Sequence, residues 1–277
     1  MLGAIIGDIV GSRFEFNNYR KKDFELFTKD CTVTDDTIMT LAIAKAILET
    51  EKVVNRSSCF SSHVYYSMLE QMATDQLQEL GKRYPYSGYG NMFMGWLFSE
   101  NPQPYNSFGN GAAMRISPVG LIACSKEEVV HMATYVTGVT HNHNQGFIGA
   151  EATAMAIYLA RMGYSKEQIR HYIEKEYYRL DFTIDEIRPT YKYSRTCQET
   201  VPQAIVAFLE STSFEDAIRT AVSIGGDSDT IAAVTGSIAE AFYGIPKNIQ
   251  AAAMSYLDEE LKAIVEEWKN EVGRVYE

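Results

Sequence analysis

The sequence predicts an all-α fold, a single domain spanning residues 1–277. Three observations carry this. Apolar residues recur at helical spacing along most of the chain, and no stretch alternates as a half-buried strand would. Helix-start signatures recur, as in Ser125-Lys126-Glu127-Glu128 and Ser165-Lys166-Glu167-Gln168, both of capping-box form. Helix stops follow them: Gly163 after one apolar run, and Gly244 with Pro246 after another. No repeat of fixed period is present.

Taken in order, residues 3–12 read as a buried, glycine-rich helix whose small residues admit close backbone approach. A polar and aromatic loop covers residues 17–31. Residues 34–51 form a helix apolar nearly all round, which places it at the centre of the fold. Residues 57–73 form another, carrying His63 as a structural histidine. Residues 81–95, rich in Gly, Tyr and Pro, read as irregular, and residues 102–118 as a loop around a Gly-Asn-Gly turn. Further helices are expected from Ser125 to about residue 136, over residues 146–162, and from Ser165 to about residue 178. Residues 179–197 read as a loop. Pro202 begins an apolar helix to residue 210, and Ser213 begins one that ends at Gly225-Gly226. Residues 231–243 are helical, and residues 247–270 split into two helices near Asp258.

Bulk properties narrow the function. The formal net charge of -11 argues against a general binder of nucleic acid or anionic membrane, which normally carries a basic patch. Hydrophobic residues make up 46% and charged residues 22%, the balance of a soluble globular protein. Cys31, Cys59, Cys124 and Cys197 lack zinc-site spacing and are too few for a disulfide scaffold, so they read as reduced thiols of a cytoplasmic protein. The apolar N-terminus lacks a basic flank and contains Asp8, a poor signal peptide. No apolar run reaches the ~20 residues of a membrane span.

Two stretches carry the chemistry. In Ser223-Ile224-Gly225-Gly226-Asp227-Ser228-Asp229-Thr230 a glycine turn delivers carboxylate and hydroxyl oxygens to a helix start. Thr34-Asp35-Asp36-Thr37 does the same at a second helix start. Each set is either a helix cap or a ligand set; two carboxylates with two hydroxyls exceed what one cap requires. If the two starts face each other, their charges demand a cation, and hard divalent ions take oxygen ligands of this kind. Glu15, between two phenylalanines, is a loop or a pocket residue. Ser107, Phe108, Gly109, Asn110 and Gly111 form either a plain surface turn or a backbone nest for an anion such as a diphosphate, with Phe108 placed to stack on a base. In Thr140-His141-Asn142-His143 the two histidines cannot share a helix face. A polar contact at a helix start is favoured over zinc, with His141 the one that faces a ligand.

The ordered set of Gly3-Ala4-Ile5-Ile6-Gly7-Asp8, Glu15, Thr34-Asp35-Asp36-Thr37, Gly109-Asn110-Gly111-Ala112-Ala113-Met114-Arg115 and Gly225-Gly226-Asp227-Ser228-Asp229-Thr230 resembles the ADP-ribosylglycohydrolase family. That resemblance implies a compact multi-helix domain with a central metal cleft holding two divalent cations, Mg or Mn. It implies Thr34, Asp35, Asp36, Asp227, Asp229 and Thr230 as metal ligands. Glu15 matches a glutamate beside one metal and near the scissile bond, with Asp35 and Asp36 as further catalytic carboxylates. Residues 107–111 match the loop that holds the diphosphate and adenosine side, Phe108 standing where a tyrosine is often found, and His141 matches a histidine near the ligand.

The implied reaction is hydrolysis of the ribosyl C1″ bond of an ADP-ribosylated acceptor, a protein side chain such as arginine or serine, or a small ADP-ribose conjugate. Two rivals stand beside it: an inactive ADP-ribose-binding or structural relative, which the intact ligand set argues against, and a metal-dependent nucleotide phosphohydrolase.

Overall fold

Glycines at positions 3, 7 and 11 recur every fourth residue and so line one face of a helix. The computed structural model of the chain, which describes residues 1–54 and 63–275, shows what that face meets. Helix α1 (Leu2–Ser12) lies against α13 (Ser228–Tyr243) with almost no separation. A Cβ on Gly7 would fall 2.1 Å from the carbonyl oxygen of Ala232, and one on Gly11 2.4 Å from the Cα of Asp229. The opposite faces of α1 bury Ile5, Ile6 and Ile9 completely. Each contributes roughly 1.5–3 kcal/mol by burial.

Fifteen α-helices and no named strand occur among the described residues, with one isolated bridge between Gly109 and Thr196. Helix α13 is the axis, with every residue from Ser228 to Ala239 buried. Around it pack α1, α8 (Asn144–Arg161), α11 (Cys197–Glu210) and α12 (Phe214–Val222). Helix α2 (Asp35–Val53) lies beside α1, covered on its far side by α3 (His63–Arg83) and α15 (Glu259–Val275). Small residues along α8, such as Gly149, Ala152 and Ala156, allow close packing there. No described helix is long and apolar enough to cross a membrane.

Most expected helices are present. The Ser165 capping box forms reciprocally with Gln168 at the start of α9 (Lys166–Glu176). The Ser125 box forms by half: Ser125 Oγ accepts from Glu128 N at 3.1 Å, but the Glu128 carboxylate turns to the Cys124 N–H. The tail splits as expected, into α14 (Lys247–Met254) and α15, with Asp258 Oδ1 capping the latter through Leu261 N at 3.0 Å.

Several boundaries differ. The expected helix start at residue 57 lies outside the described residues, as does Cys59; the described helix runs on to Arg83. Residues 81–95 are therefore not all irregular: they end α3 and begin α4 (Asn91–Leu97). Gly81 sits within α3 because α4 presses against it; a Cβ there would lie 2.6 Å from Leu97 Cδ1. The apolar residues of α4, Phe93, Trp96 and Leu97, are buried at helical spacing, a pattern masked by the neighbouring glycines and tyrosines. The loop expected over residues 102–118 holds α5 (Gly111–Met114) and opens α6 (Ser117–Ile122). That over residues 179–197 holds α10 (Ile184–Ile187), begun by a Thr183–Glu186 capping box. Helix α11 starts at Cys197, so Pro202 lies inside it and removes one interior hydrogen bond.

Candidate active site

The glycine turn before α13 forms as expected. Gly225 and Gly226 have φ of 76° and 71°, the left-handed region that favours glycine. Gly226 N donates to Asn18 Oδ1 at 3.1 Å, tying the turn to the loop after α1. The turn throws Asp227, Ser228, Asp229 and Thr230 into the start of α13. Asp227 occupies the cap position but makes no side-chain capping bond. Of the two readings of this stretch, helix cap or ligand set, the cap is not formed by the Asp227 side chain.

Across a narrow gap stands the start of α2. Thr34 caps it, its Oγ1 accepting from Asp36 N at 3.3 Å. Thr230 Oγ1 donates to Asp36 Oδ2 at 3.1 Å, so the two helix starts touch. The other Asp36 oxygen, Oδ1, is buried with no hydrogen-bond partner. A buried carboxylate oxygen without a donor is costly, and a cation relieves it.

Asp8, on α1, completes this contact and was not among the expected site residues. It is fully buried. Its Oδ1 accepts from Thr34 Oγ1 at 2.6 Å, and its Oδ2 from Thr34 N at 3.0 Å and Thr37 N at 3.1 Å. Thr37 Oγ1 donates to it as well. Asp8 thus satisfies free N–H groups at the start of α2 from a neighbouring helix. Thr34 Oγ1 thus gives its proton to Asp8 and offers only its oxygen lone pairs, to Asp36 N and to any further partner.

Carboxylate oxygens of Asp8, Asp36 and Asp229 lie within 4.8 Å of one another. So do those of Glu15, Asp227 and Asp229. Asp229 belongs to both triads; Asp35 belongs to neither but lines the same cleft. Burial raises the carboxyls of Asp36 and Asp229 well above their ordinary range, and neighbouring carboxylates add to it. Asp35 rises to about 7, first by burial and then by repulsion from Asp8. Asp8, Glu15 and Asp227 are raised too, each mainly by burial. Six crowded acids, oxygen donors only, with one left orphaned: this donor set fits a hard divalent cation.

Glu15 is held from a segment that showed no site signal in the sequence. Tyr193 OH donates to Glu15 Oε1 at 2.9 Å, Arg195 Nε donates to Tyr193 OH at 2.6 Å, and the Arg195 guanidinium lies 3.6 Å from the same carboxylate. Glu15 is therefore a pocket residue.

The second expected loop lines the same cleft, whose volume is about 610 Å³. That falls in the usual small-molecule range of ~300–1,000 Å³. Ser107 Oγ accepts from Gly109 N at 3.1 Å. Asn110 is buried in the cleft wall: its Nδ2 donates to Asp227 Oδ2 at 2.7 Å and to Thr200 Oγ1 at 3.1 Å. It couples the glycine loop to the acidic cluster. Phe108 is half-exposed at the rim beside the His143 ring. His143 Nδ1 accepts from Gln145 N at 3.1 Å as the cap of α8, whereas His141 lines the cleft, the division expected of the pair. The apolar side is formed by Met39, Met92, Phe93, Tyr105 and Met114.

An all-helical scaffold with an acidic, cation-ready cleft and a glycine loop facing it defines a class of hydrolase-like site. The chain belongs to the ADP-ribosylglycohydrolase family, whose model matches residues 1–276, and it is an enzyme of that class. It is 25% identical to the ADP-ribosylhydrolase ARH3 of Xenopus tropicalis, over 100% of this chain and 94% of that one. It is 26% identical to ARH3 of Homo sapiens, over 95% and 90%. The ADP-ribosylarginine hydrolase Tri1 of Pseudomonas putida (strain GB-1) is 25% identical over 88% and 70%. A solved structure titled ADP-ribosylglycohydrolase-related protein complex shares the fold, with a TM-score of 0.66, 21% identity, and coverage of 95% and 94%.

Proposed function

We propose that this cleft hydrolyses the ribosyl C1″ bond of an ADP-ribosylated acceptor, a protein side chain such as arginine or serine, and releases ADP-ribose. The observation that carries this is the contact between the starts of α2 and α13, with Asp229 shared between two carboxylate triads. The names of the relatives, ADP-ribosylhydrolases and an ADP-ribosylarginine hydrolase, support ADP-ribose conjugates as the substrate class.

In this reading Thr34, Asp35, Asp36, Asp227, Asp229 and Thr230, joined by Asp8, hold two divalent ions, Mg or Mn. Such ions, when bound, orient the ribose hydroxyls and acidify water. Residues 107–111 and His141 hold the diphosphate and adenosine side. Asn110 acts there by fixing the loop to Asp227. Glu15, its pKa raised and its Oε1 occupied by Tyr193, presents Oε2 to take a proton from the attacking water. Water oxygen bonds to C1″, the bond to the acceptor breaks, and the acceptor leaves with a proton equivalent to the one that Glu15 took from the water, which restores the Glu15 carboxylate. Asp35 and Asp36 shape the charge around the sugar. We read residues 1–277 as one domain of this type. Cys31 and Cys197, which form no disulfide among the described residues, support a reducing, cytoplasmic setting.

The deciding experiment incubates ADP-ribosylated arginine and serine peptides with the protein, with and without Mg or Mn. Cation-dependent release of free ADP-ribose is the expected outcome. Phosphate release, or binding without turnover, overturns the reading.

A further inference from the structure

Arg115 is a buried guanidinium, 1% exposed, and makes no ion pair among the described residues. Burying a charge without a partner is expensive, so a site that keeps one has a use for it. Its Nη2 donates to Thr140 Oγ1 at 2.5 Å. Thr140, also fully buried, has its Oγ1 2.7 Å from His141 Nδ1. The three residues form a chain whose two ends, Arg115 and His141, both line the cleft. Past the imidazole, His141 Nε2 faces the glycine loop: a Cβ on Gly111 would stand 3.2 Å from it, and one on Gly109 3.6 Å.

We propose that Arg115 and Thr140 are positioning residues that fix His141 as the neutral tautomer with its proton on Nε2, presenting a single N–H donor to an anionic oxygen held over Gly109 and Gly111. This rests on the proposed function only in naming that oxygen as one of the ADP-ribose diphosphate; the tautomer is argued from the hydrogen bonds of the chain itself.

The direction of the chain is set by what each group can do. A guanidinium only donates. Thr140 Oγ1 must therefore accept from Arg115, and its one proton is free to go to His141 Nδ1. A neutral imidazole that accepts at Nδ1 carries its proton at Nε2. The Tyr105 phenol beside the same hydroxyl is kept protonated by burial, its pKa raised to about 12, so it can donate to the second lone pair of Thr140 Oγ1 and leave the Thr140 proton to His141. The charge on Arg115 persists, since burial lowers its pKa only to about 10. Burial, and then that charge, hold the His141 pKa well below its usual value and disfavour an imidazolium. The glycines complete the device, because any side chain at position 111 would crowd the Nε2–H.

The test is a long-range proton–nitrogen correlation spectrum of the ¹⁵N-labelled protein at neutral pH. The five histidines are separated by loss of one set of signals in His141→Gln. The wild-type protein is expected to show His141 neutral and protonated on Nε2. A spectrum showing the Nδ1–H tautomer or an imidazolium overturns the proposal, whether or not the protein binds ADP-ribose. Thr140→Val is expected to mix the tautomers, and Thr140→Ser to restore the wild-type spectrum. In calorimetry with ADP-ribose, Thr140→Val weakens binding about tenfold or more, the scale of one hydrogen bond to a charged group, while Thr140→Ser does not. Wild-type binding unchanged in Thr140→Val overturns the role assigned to the relay. A wild-type protein with the Nε2–H tautomer but no affinity for ADP-ribose leaves the relay standing and contradicts the proposed function.

Discussion

Thr230 Oγ1 donates a hydrogen bond to Asp36 Oδ2 across 194 positions of sequence, at 3.1 Å. That one bond joins the start of α13 to the start of α2, and the acidic site is built around it. The Asp36 oxygen it leaves orphaned marks where positive charge is required.

Replacing Asp229, which both triads share, should be the most damaging single change to activity. Asp229→Asn is expected to lower cation-dependent turnover by at least about 100-fold. The same variant should melt higher than wild type without metal, because it removes a buried acid that the fold must either keep protonated or hold charged among other carboxylates. Paired turnover and melting measurements check both halves.

Stability without metal should depend on pH in an unusual direction. The raised carboxyls of Asp35 (to about 7), Asp36 and Asp229 keep protons in the folded state that the unfolded chain releases. Their contribution is fully present below the ordinary carboxylate range, near pH ~4, and is lost as pH rises, through about 7 for Asp35 and through their own raised values for Asp36 and Asp229. The melting advantage of Asp36→Asn over wild type should therefore widen across that window and vanish when Mn is added. Differential scanning fluorimetry over a pH series, with chelator and with Mn, measures it.

The spacing of α1 and α13 is equally exposed to test. A methyl group on Gly7 meets the Ala232 carbonyl at 2.1 Å and forces the helices apart. Gly7→Ala should cost about 1–3 kcal/mol or more in denaturant unfolding. It should also weaken metal binding, since Asp8 and Asp229 sit on the two displaced helices.

Tyr193→Phe removes the hydroxyl that holds Glu15 while leaving the ring. Turnover should fall about tenfold, the scale of a hydrogen bond to a charged group, with substrate affinity little changed. Steady-state kinetics separate the two.

How much of this was legible in the sequence follows from how local each feature is. Gly225-Gly226, Thr34-Asp35-Asp36 and the Gly-Asn-Gly loop announce themselves because turn chemistry and helix-start chemistry are written in neighbouring residues. Asp8 hid in an apolar helix: its partners Thr34 and Thr37 stand 26 and 29 positions away, and only its burial among isoleucines hinted that it needed them. Tyr193 and Arg195 reach Glu15 across 178 and 180 positions from a segment that reads as a plain loop, so no spacing rule finds them. Asn110 read as a turn residue because the turn is local, while its bond to Asp227 spans 117 positions. Helix α4 was lost because glycine and tyrosine around it speak for irregular structure while Phe93, Trp96 and Leu97 speak only once packed.

The central claim is that two distant helix starts make one centre for two cations. Electron paramagnetic resonance of the protein titrated with Mn tests it most directly. The account predicts two Mn ions per chain with an exchange-coupled spectrum, because both triads use Asp229, and loss of the coupling in Asp229→Asn. A single ion per chain, or two ions with uncoupled spectra, would contradict it.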